Sequence, residues 1–144
     1  MVIRKNLVKK NALISVYNKK NLKFLCENLK KYNYNFISSG TTGKKIRNFG
    51  FKCKDVSDLT KTKEMFDGRI KTINPLIYSS LLYIRDNNFH RKQFLSLKIP
   101  EIDIVVVNLY PFKEYLKKYK NDKIIEMIDI GGPSLLRAAS KNYK

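Results

Sequence analysis

Residues 103–110, DIVVVNLY, constrain the fold more than any other part of the chain. Four β-branched residues stand in a row, entered from Pro100 and stopped at Pro111, a composition that favours extended backbone over helix. Side chains alternate across a strand, so an unbroken apolar run needs both faces covered. That is the situation of a strand in a parallel sheet with helices on either side. Such a run is expected at the centre of the sheet.

The rest of the sequence supplies partners for it. NALISVY (11–17) reads as a short buried strand, and NLKFLCENLKKY behind it carries Leu22, Leu25, Cys26 and Leu29 at helical spacing. YNFISS (34–39) reads as a second strand. GTTG then opens a short helix with Ile46 and Phe49, which Gly50 is placed to end. FKCKDVS (51–57) alternates like a third strand. Strands spaced by helical stretches of about ten residues predict βαβ units. The expected fold is therefore α/β, a three-layer sandwich with a mainly parallel central sheet and helices on both faces. Within 61–99, DGRIKT reads as a loop, INPLIYSSLLYIR as helix or strand, and FHRKQFLSL as a weakly periodic helix. FKEYLKKY and DKIIEMI are amphipathic helix candidates, and GGP restarts a helix with Pro133 in its first turn, where a missing N–H costs nothing.

A chain of 144 residues suits one domain. Residues 1–10 are expected to form a basic N-terminal extension and 11–144 the domain itself. MVIRKNLVKK lacks the apolar stretch and cleavage site of a secretory signal, and no apolar run reaches membrane-spanning length, so a cytoplasmic location is expected. Cys26 and Cys53 are far apart and His90 is the single histidine, so neither a metal site nor a disulfide is expected. The net charge of +18 raises nucleic-acid binding as a possibility. Its lysines, however, are spread through every segment among Asn, Ile, Tyr and Phe, the mixture that coding drift toward A and T produces. No basic face interleaved with stacking aromatics stands out.

In open α/β sheets ligands bind beyond the carboxyl ends of the strands, where helix N-termini present free N–H groups. Three loops fall there: SVYNK (15–19), SSGTTG (38–43) and NLYPF (108–112). In SSGTTG, backbone N–H groups and the hydroxyls of Ser39, Thr41 or Thr42 suit a phosphate, or else simply cap a helix. Arg69 and Lys71 in DGRIKT are two apart, so an extended backbone points both to one side, a guanidinium beside an ammonium. In MIDIGGP, Asp129 precedes a Gly-Gly turn whose Ile130 and Gly131 N–H groups suit an oxyanion, with a plain N-cap as the alternative role for Asp129. Lys141 lies on the following helix, four residues after Arg137 and on the same face.

Four ordered blocks, ALISV (12–16), EMFDGRIKT (64–72), DIVVVNLYPF (103–112) and IDIGGPSLLRAASKN (128–142), resemble the IMP cyclohydrolase domain of the bifunctional purine biosynthesis enzyme that also carries an AICAR transformylase. The resemblance covers nearly the whole chain from residue 11 and implies a methylglyoxal-synthase-like fold. It implies closure of 5-formamidoimidazole-4-carboxamide ribotide to inosine monophosphate with loss of water, without cofactor or metal. Carried over by position, it implies Lys71, Tyr110, Asp129 and Lys141 as catalytic residues, with Lys141 and Asp129 as a coupled pair handling the amide proton. Lys71 and the Ile130 and Gly131 N–H groups would serve the oxyanion. Asn108 matches a base-contacting position. Ser15, Lys19, Ser39, Gly40, Thr41, Thr42, Arg69 and Thr72 match positions around the nucleotide and its phosphate. The implied partner is the small purine ribotide, with a homodimer or a separate transformylase chain as macromolecular partners.

The chain departs from the family pattern at SVYNKKNL, where the family usually reads SVSDKTGL, so Tyr17 replaces a serine and Asn21 a glycine. Thr41 replaces the second glycine of the phosphate loop, and INP with Tyr78, Ser79 and Ser80 replaces Leu-His-Pro and His-Gly-Gly. Relative to the family, which continues into another strand and further helices, the domain is expected to be C-terminally short. The competing functions are a non-catalytic nucleotide- or phosphate-binding regulatory module of the same fold, a methylglyoxal synthase, and a basic nucleic-acid binder.

Overall fold

The computed structural model describes residues 9–120 and 122–143, so residues 1–8 of the expected basic extension lie outside the described residues. Four parallel strands, β1 (Lys10–Val16), β2 (Tyr34–Ser38), β3 (Cys53–Asp55) and β4 (Ile104–Asn108), form one sheet in the order β3-β2-β1-β4. α1 (Leu22–Lys31) joins β1 to β2, and α2 (Gly40–Asn48) joins β2 to β3. α3 (Val56–Thr60), α4 (Pro75–Leu82) and α5 (Asn88–Ser96) carry the chain across to β4. α6 (Phe112–Lys118), α7 (Asp122–Ile125) and α8 (Gly131–Lys141) follow it.

Alternation along the strands sorts the core into two layers. Leu13, Ile37, Val105 and Val107 face one way and pack with Val56 of α3, Ile77 and Leu81 of α4, and Leu135 and Ala138 of α8. Ala12, Ile14, Val16, Phe36, Ile104 and Val106 face the other way, against Leu22 and Cys26 of α1 and Ile46 of α2. The α/β three-layer expectation holds, with helices on both faces of a parallel sheet.

Three local expectations change. The VVV strand lies at the edge of the sheet among the described strands, paired only to β1, and its residues 104–107 are half-buried. Its apolar run reports coverage of both faces and carries no information about lateral neighbours. The centre belongs to β1, whose Ala12, Leu13 and Ile14 are fully buried. FKCKDVS yields only a three-residue strand, because Asp55 and Asp58 form a capping box that starts α3 at Val56. INPLIYSSLLYIR resolves as helix, with Asn74 accepting from the Leu76 N–H at 2.9 Å and Pro75 in the first turn. Gly50, at φ +86°, ends α2 as expected and donates to Arg47 O at 2.9 Å.

β1 leads through α1 to one side of the sheet, whereas β3 crosses to β4 on the other side of β1. The topological switch point therefore lies between β1 and β4, where their carboxyl ends open side by side.

Candidate functional site

A cleft of about 670 Å³ opens at this switch point, within the size range of small-molecule sites. It is lined by the ends of β1 and β4, the N-terminus of α2, the 67–73 loop and the approach to α8. Of the fifteen residues expected at the site, Lys141 alone is not part of the lining.

Asn108, the last residue of β4, fixes the floor. Its Oδ1 accepts from the N–H groups of Tyr17 at 2.6 Å and Asn18 at 2.9 Å, and its Nδ2 donates to Asn18 O at 2.8 Å. The side chain thus clamps the loop after β1, which leaves one N–H of its amide for a ligand. Lys19 closes the same loop, donating to Val16 O at 3.1 Å and Tyr17 O at 3.0 Å. Burial lowers its pKa from the ordinary lysine value. Ser15 lies beside them in the lining.

α2 supplies the anion-facing end. Ser39 is its N-cap in extended backbone, and its side chain makes no capping bond. The first-turn N–H groups of Gly40, Thr41 and Thr42 have no acceptor within the helix. Gly40 sits at φ +53°, and a Cβ there would come within 3.4 Å of Lys71 Nζ. Glycine therefore serves the left-handed backbone, and the ammonium of Lys71 lies beside this helix end. Thr42 differs from expectation: its hydroxyl is buried and donates to Val16 O at 2.9 Å, tying α2 to β1. Ser39 and Thr41 remain as hydroxyl donors to a ligand.

DGRIKT is not extended. Residues 66–69 form a turn between bridged Met65 and Ile70, with Phe66, Asp67 and Gly68 all at positive φ. The turn still brings Arg69 and Lys71 to one cleft, and each cation meets a carboxylate. Lys71 Nζ lies 3.4 Å from Glu64 Oε2. Arg69 engages both carboxylate oxygens of Glu126, through Nε at 3.2 Å and through Nη2. Glu126 raises the Arg69 pKa further, by hydrogen bond and then by charge.

α8 closes the remaining side. Asp129 stands one residue before the Ile130 cap position, and its Oδ1 accepts from the Gly132 N–H at 2.9 Å, so its side chain does cap the helix end. Its second oxygen lies on the side that a Gly132 Cβ would occupy, 2.6 Å from that position. A Gly131 Cβ would stand 3.2 Å from Thr72 Oγ1, so this glycine lets the helix end approach the DGRIKT loop. Ile130 and Gly131 occupy the cap and first helical positions, whose N–H groups find no acceptor inside the helix. Lys141, ten residues along α8 from Gly131, lies about 15 Å away at 1.5 Å per residue. The expected pairing of Lys141 with Asp129 is therefore not formed within the chain. One straight helix separates the two groups, and Lys141 is instead placed to interact with the dipole at the C-terminal end of α8.

Tyr110 stands half-exposed at the cleft, its ring 5.1 Å from Tyr17 in a T-shaped contact. Tyr17 also meets Tyr115 of α6, hydroxyl to hydroxyl and ring edge to ring face at 6.2 Å. That hydrogen bond is the main cause of a Tyr115 pKa pushed up to about 12. Sequence reasoning missed Glu126 in the lining, Glu64 as the partner of Lys71, and the contacts that join Tyr110 to Tyr17 and Tyr17 to Tyr115. Tyr17 was visible only as a departure from the family pattern, and nothing local marks the two glutamates.

Three cations, Lys19, Arg69 and Lys71, face three carboxylates, Asp67, Glu126 and Asp129, in the lining. This is not the one-signed trough of a polyanion binder, whatever the overall charge. Among the described residues no group of acidic, cysteine and histidine side chains could hold a metal ion, and no helix is long and apolar enough to cross a membrane.

The family model of the MGS-like domain matches residues 21–134. The chain belongs to the MGS-like domain family. Relatives named bifunctional purine biosynthesis protein PurH align over nearly all of it. That of Caldicellulosiruptor bescii is 44% identical over 137 residues, which cover 94% of this chain and 27% of the relative. That of Clostridioides difficile is 46% identical over 136 residues, covering 94% and 27%. This MGS-like chain thus spans about a quarter of the length of these relatives. Among solved structures, the crystal structure of ForH superimposes with a TM-score of 0.76 at 25% identity, covering 94% of this chain and 70% of that one. The purine biosynthesis relatives agree with the resemblance carried by the four sequence blocks.

Proposed function

We propose that the chain is an IMP cyclohydrolase acting in cytoplasmic purine biosynthesis, with the formylated imidazole carboxamide ribotide as its small-molecule partner. The observation that carries this reading is the convergence of Lys71, Tyr110 and Asp129 on one cleft whose other end is the N-terminus of α2. The α2 N–H groups, Ser39, Thr41, Lys19 and Arg69 suit the phosphate, and the remaining Asn108 N–H suits the base. Both reacting groups belong to one ligand, so holding them in contact supplies much of the rate.

In the first step the carboxamide nitrogen bonds to the formyl carbon and gives up one proton, while the formyl oxygen gains one. The free oxygen of Asp129 is the proton acceptor in this reading. Lys71 and the Ile130 and Gly131 N–H groups stabilise the oxygen as it becomes charged, with Tyr110 orienting the ligand or relaying a proton. In the second step the formamide nitrogen loses its proton, the C–OH bond breaks, and the hydroxyl leaves as water after taking up a proton. Lys141 has no part in this scheme.

A second reading, a non-catalytic nucleotide-binding module, draws on the commitment of Asp129 to capping and on the remoteness of Lys141. Absorbance-followed conversion of the formylated ribotide separates the two. The cyclohydrolase reading expects turnover by wild type and a loss of roughly 10²-fold or more in Lys71→Ala. Equal rates in the two proteins would remove Lys71 from the mechanism.

A further inference from the structure

The cleft cation best shaped for a phosphate is already occupied. Arg69 presents its guanidinium fork to both oxygens of Glu126, a bidentate arrangement that is also how arginine takes a phosphate. The two residues lie 57 positions apart, one on the DGRIKT turn and one just after α7, and both line the cleft. Glu64 covers Lys71 less completely, through one oxygen at 3.4 Å and from outside the lining.

We propose that Glu126 acts as an internal stand-in for the ligand's phosphate: it holds Arg69 in the cleft and must be displaced by the arriving anion. This rests on the reading that the cleft takes a phosphorylated nucleotide. A phosphate dianion outcompetes a carboxylate monoanion for the guanidinium, whereas a neutral nucleoside or a weak anion does not. Glu126 therefore lowers the affinity for anions that engage Arg69 and leaves the affinity for a neutral nucleoside unchanged. Both side chains are largely exposed, 65% for Arg69 and 49% for Glu126, so the carboxylate can swing away without disturbing the core. Exposed pairs of this kind are weak, and displacing one corresponds to about a two- to five-fold effect on affinity.

The test is calorimetric binding of inosine monophosphate, with inosine as the phosphate-free control, to the 144-residue wild-type chain, Glu126→Gln, Arg69→Gln and the double variant. The expected result is about two- to five-fold tighter nucleotide binding by Glu126→Gln, no such gain in the Arg69→Gln background, and no gain for inosine. Equal or weaker binding by Glu126→Gln would overturn the proposal, since Glu126 would then orient Arg69 instead of competing for it. A gain that persists without Arg69 would also overturn it, as a general effect of removing a negative charge. Absence of nucleotide binding in all four proteins overturns it too. The readout is binding, so a failure of ring closure alone would sink the cyclohydrolase reading and leave this one standing.

Discussion

Asp129 is asked to do two things, and a pair of substitutions separates them. Its Oδ1 caps α8 through the Gly132 N–H at 2.9 Å, and its other oxygen is the base of the proposed reaction. Asparagine caps a helix about as well as aspartate, so Asp129→Asn keeps the cap and loses only the charge at the helix N-terminus, about 0.3–1 kcal/mol. Asp129→Ala loses the cap as well, about 1 kcal/mol more, which for a domain of this size lowers Tm by a further ~2–4 °C. Both substitutions remove the proton acceptor, a loss of about 10²- to 10⁴-fold in kcat. The two variants should thus separate in urea or thermal unfolding while matching in absorbance-followed turnover. If Asp129→Asn retains turnover within about three-fold of wild type, well short of what a general base contributes, Asp129 is a cap and nothing more.

Two further outcomes test the fold beneath the site. Leu135, fully buried on α8 among Leu13, Ile37 and Ile77, should cost about 2–5 kcal/mol on substitution by Ala in denaturant unfolding, and a cost under 1 would refute its core position. Tyr83 stacks on Phe94 at 4.2 Å, and burial, then a hydrogen bond to Glu101 and its charge, push its pKa up to about 12. Between pH 10 and 12 the unfolded chain has released this proton and the folded chain has not, so stability present below pH 10 is lost as pH rises. Tyr83→Phe should flatten that alkaline decline in unfolding midpoints, and an unchanged slope would count against it.

Periodicity made the layers legible. β1 with α1, β2 with α2, and the VVV strand followed from apolar spacing, because spacing is set by which faces are covered. Lateral order is not encoded that way, and the VVV strand accordingly came out at the edge beside β1. β3 was overextended because alternation through FKCKDVS outweighed the Asp55 and Asp58 capping signal that ends it. At the site, residues after strand ends were readable, since fold class alone places them at one rim. Their partners were not: Thr42 bonds to Val16, Asn108 to Tyr17 and Asn18, and Arg69 to Glu126, all contacts between distant segments. The separation of Lys141 from Asp129 was legible in principle, since an eleven-residue helix cannot bring its ends together.

The most direct test of the account is whether the 144-residue chain itself converts 5-formamidoimidazole-4-carboxamide ribotide to inosine monophosphate. Catalysed formation of the product, abolished by Asp129→Asn without loss of fold, is the predicted result. Tight nucleotide binding with no product above the uncatalysed rate would contradict it and leave a binding module in its place.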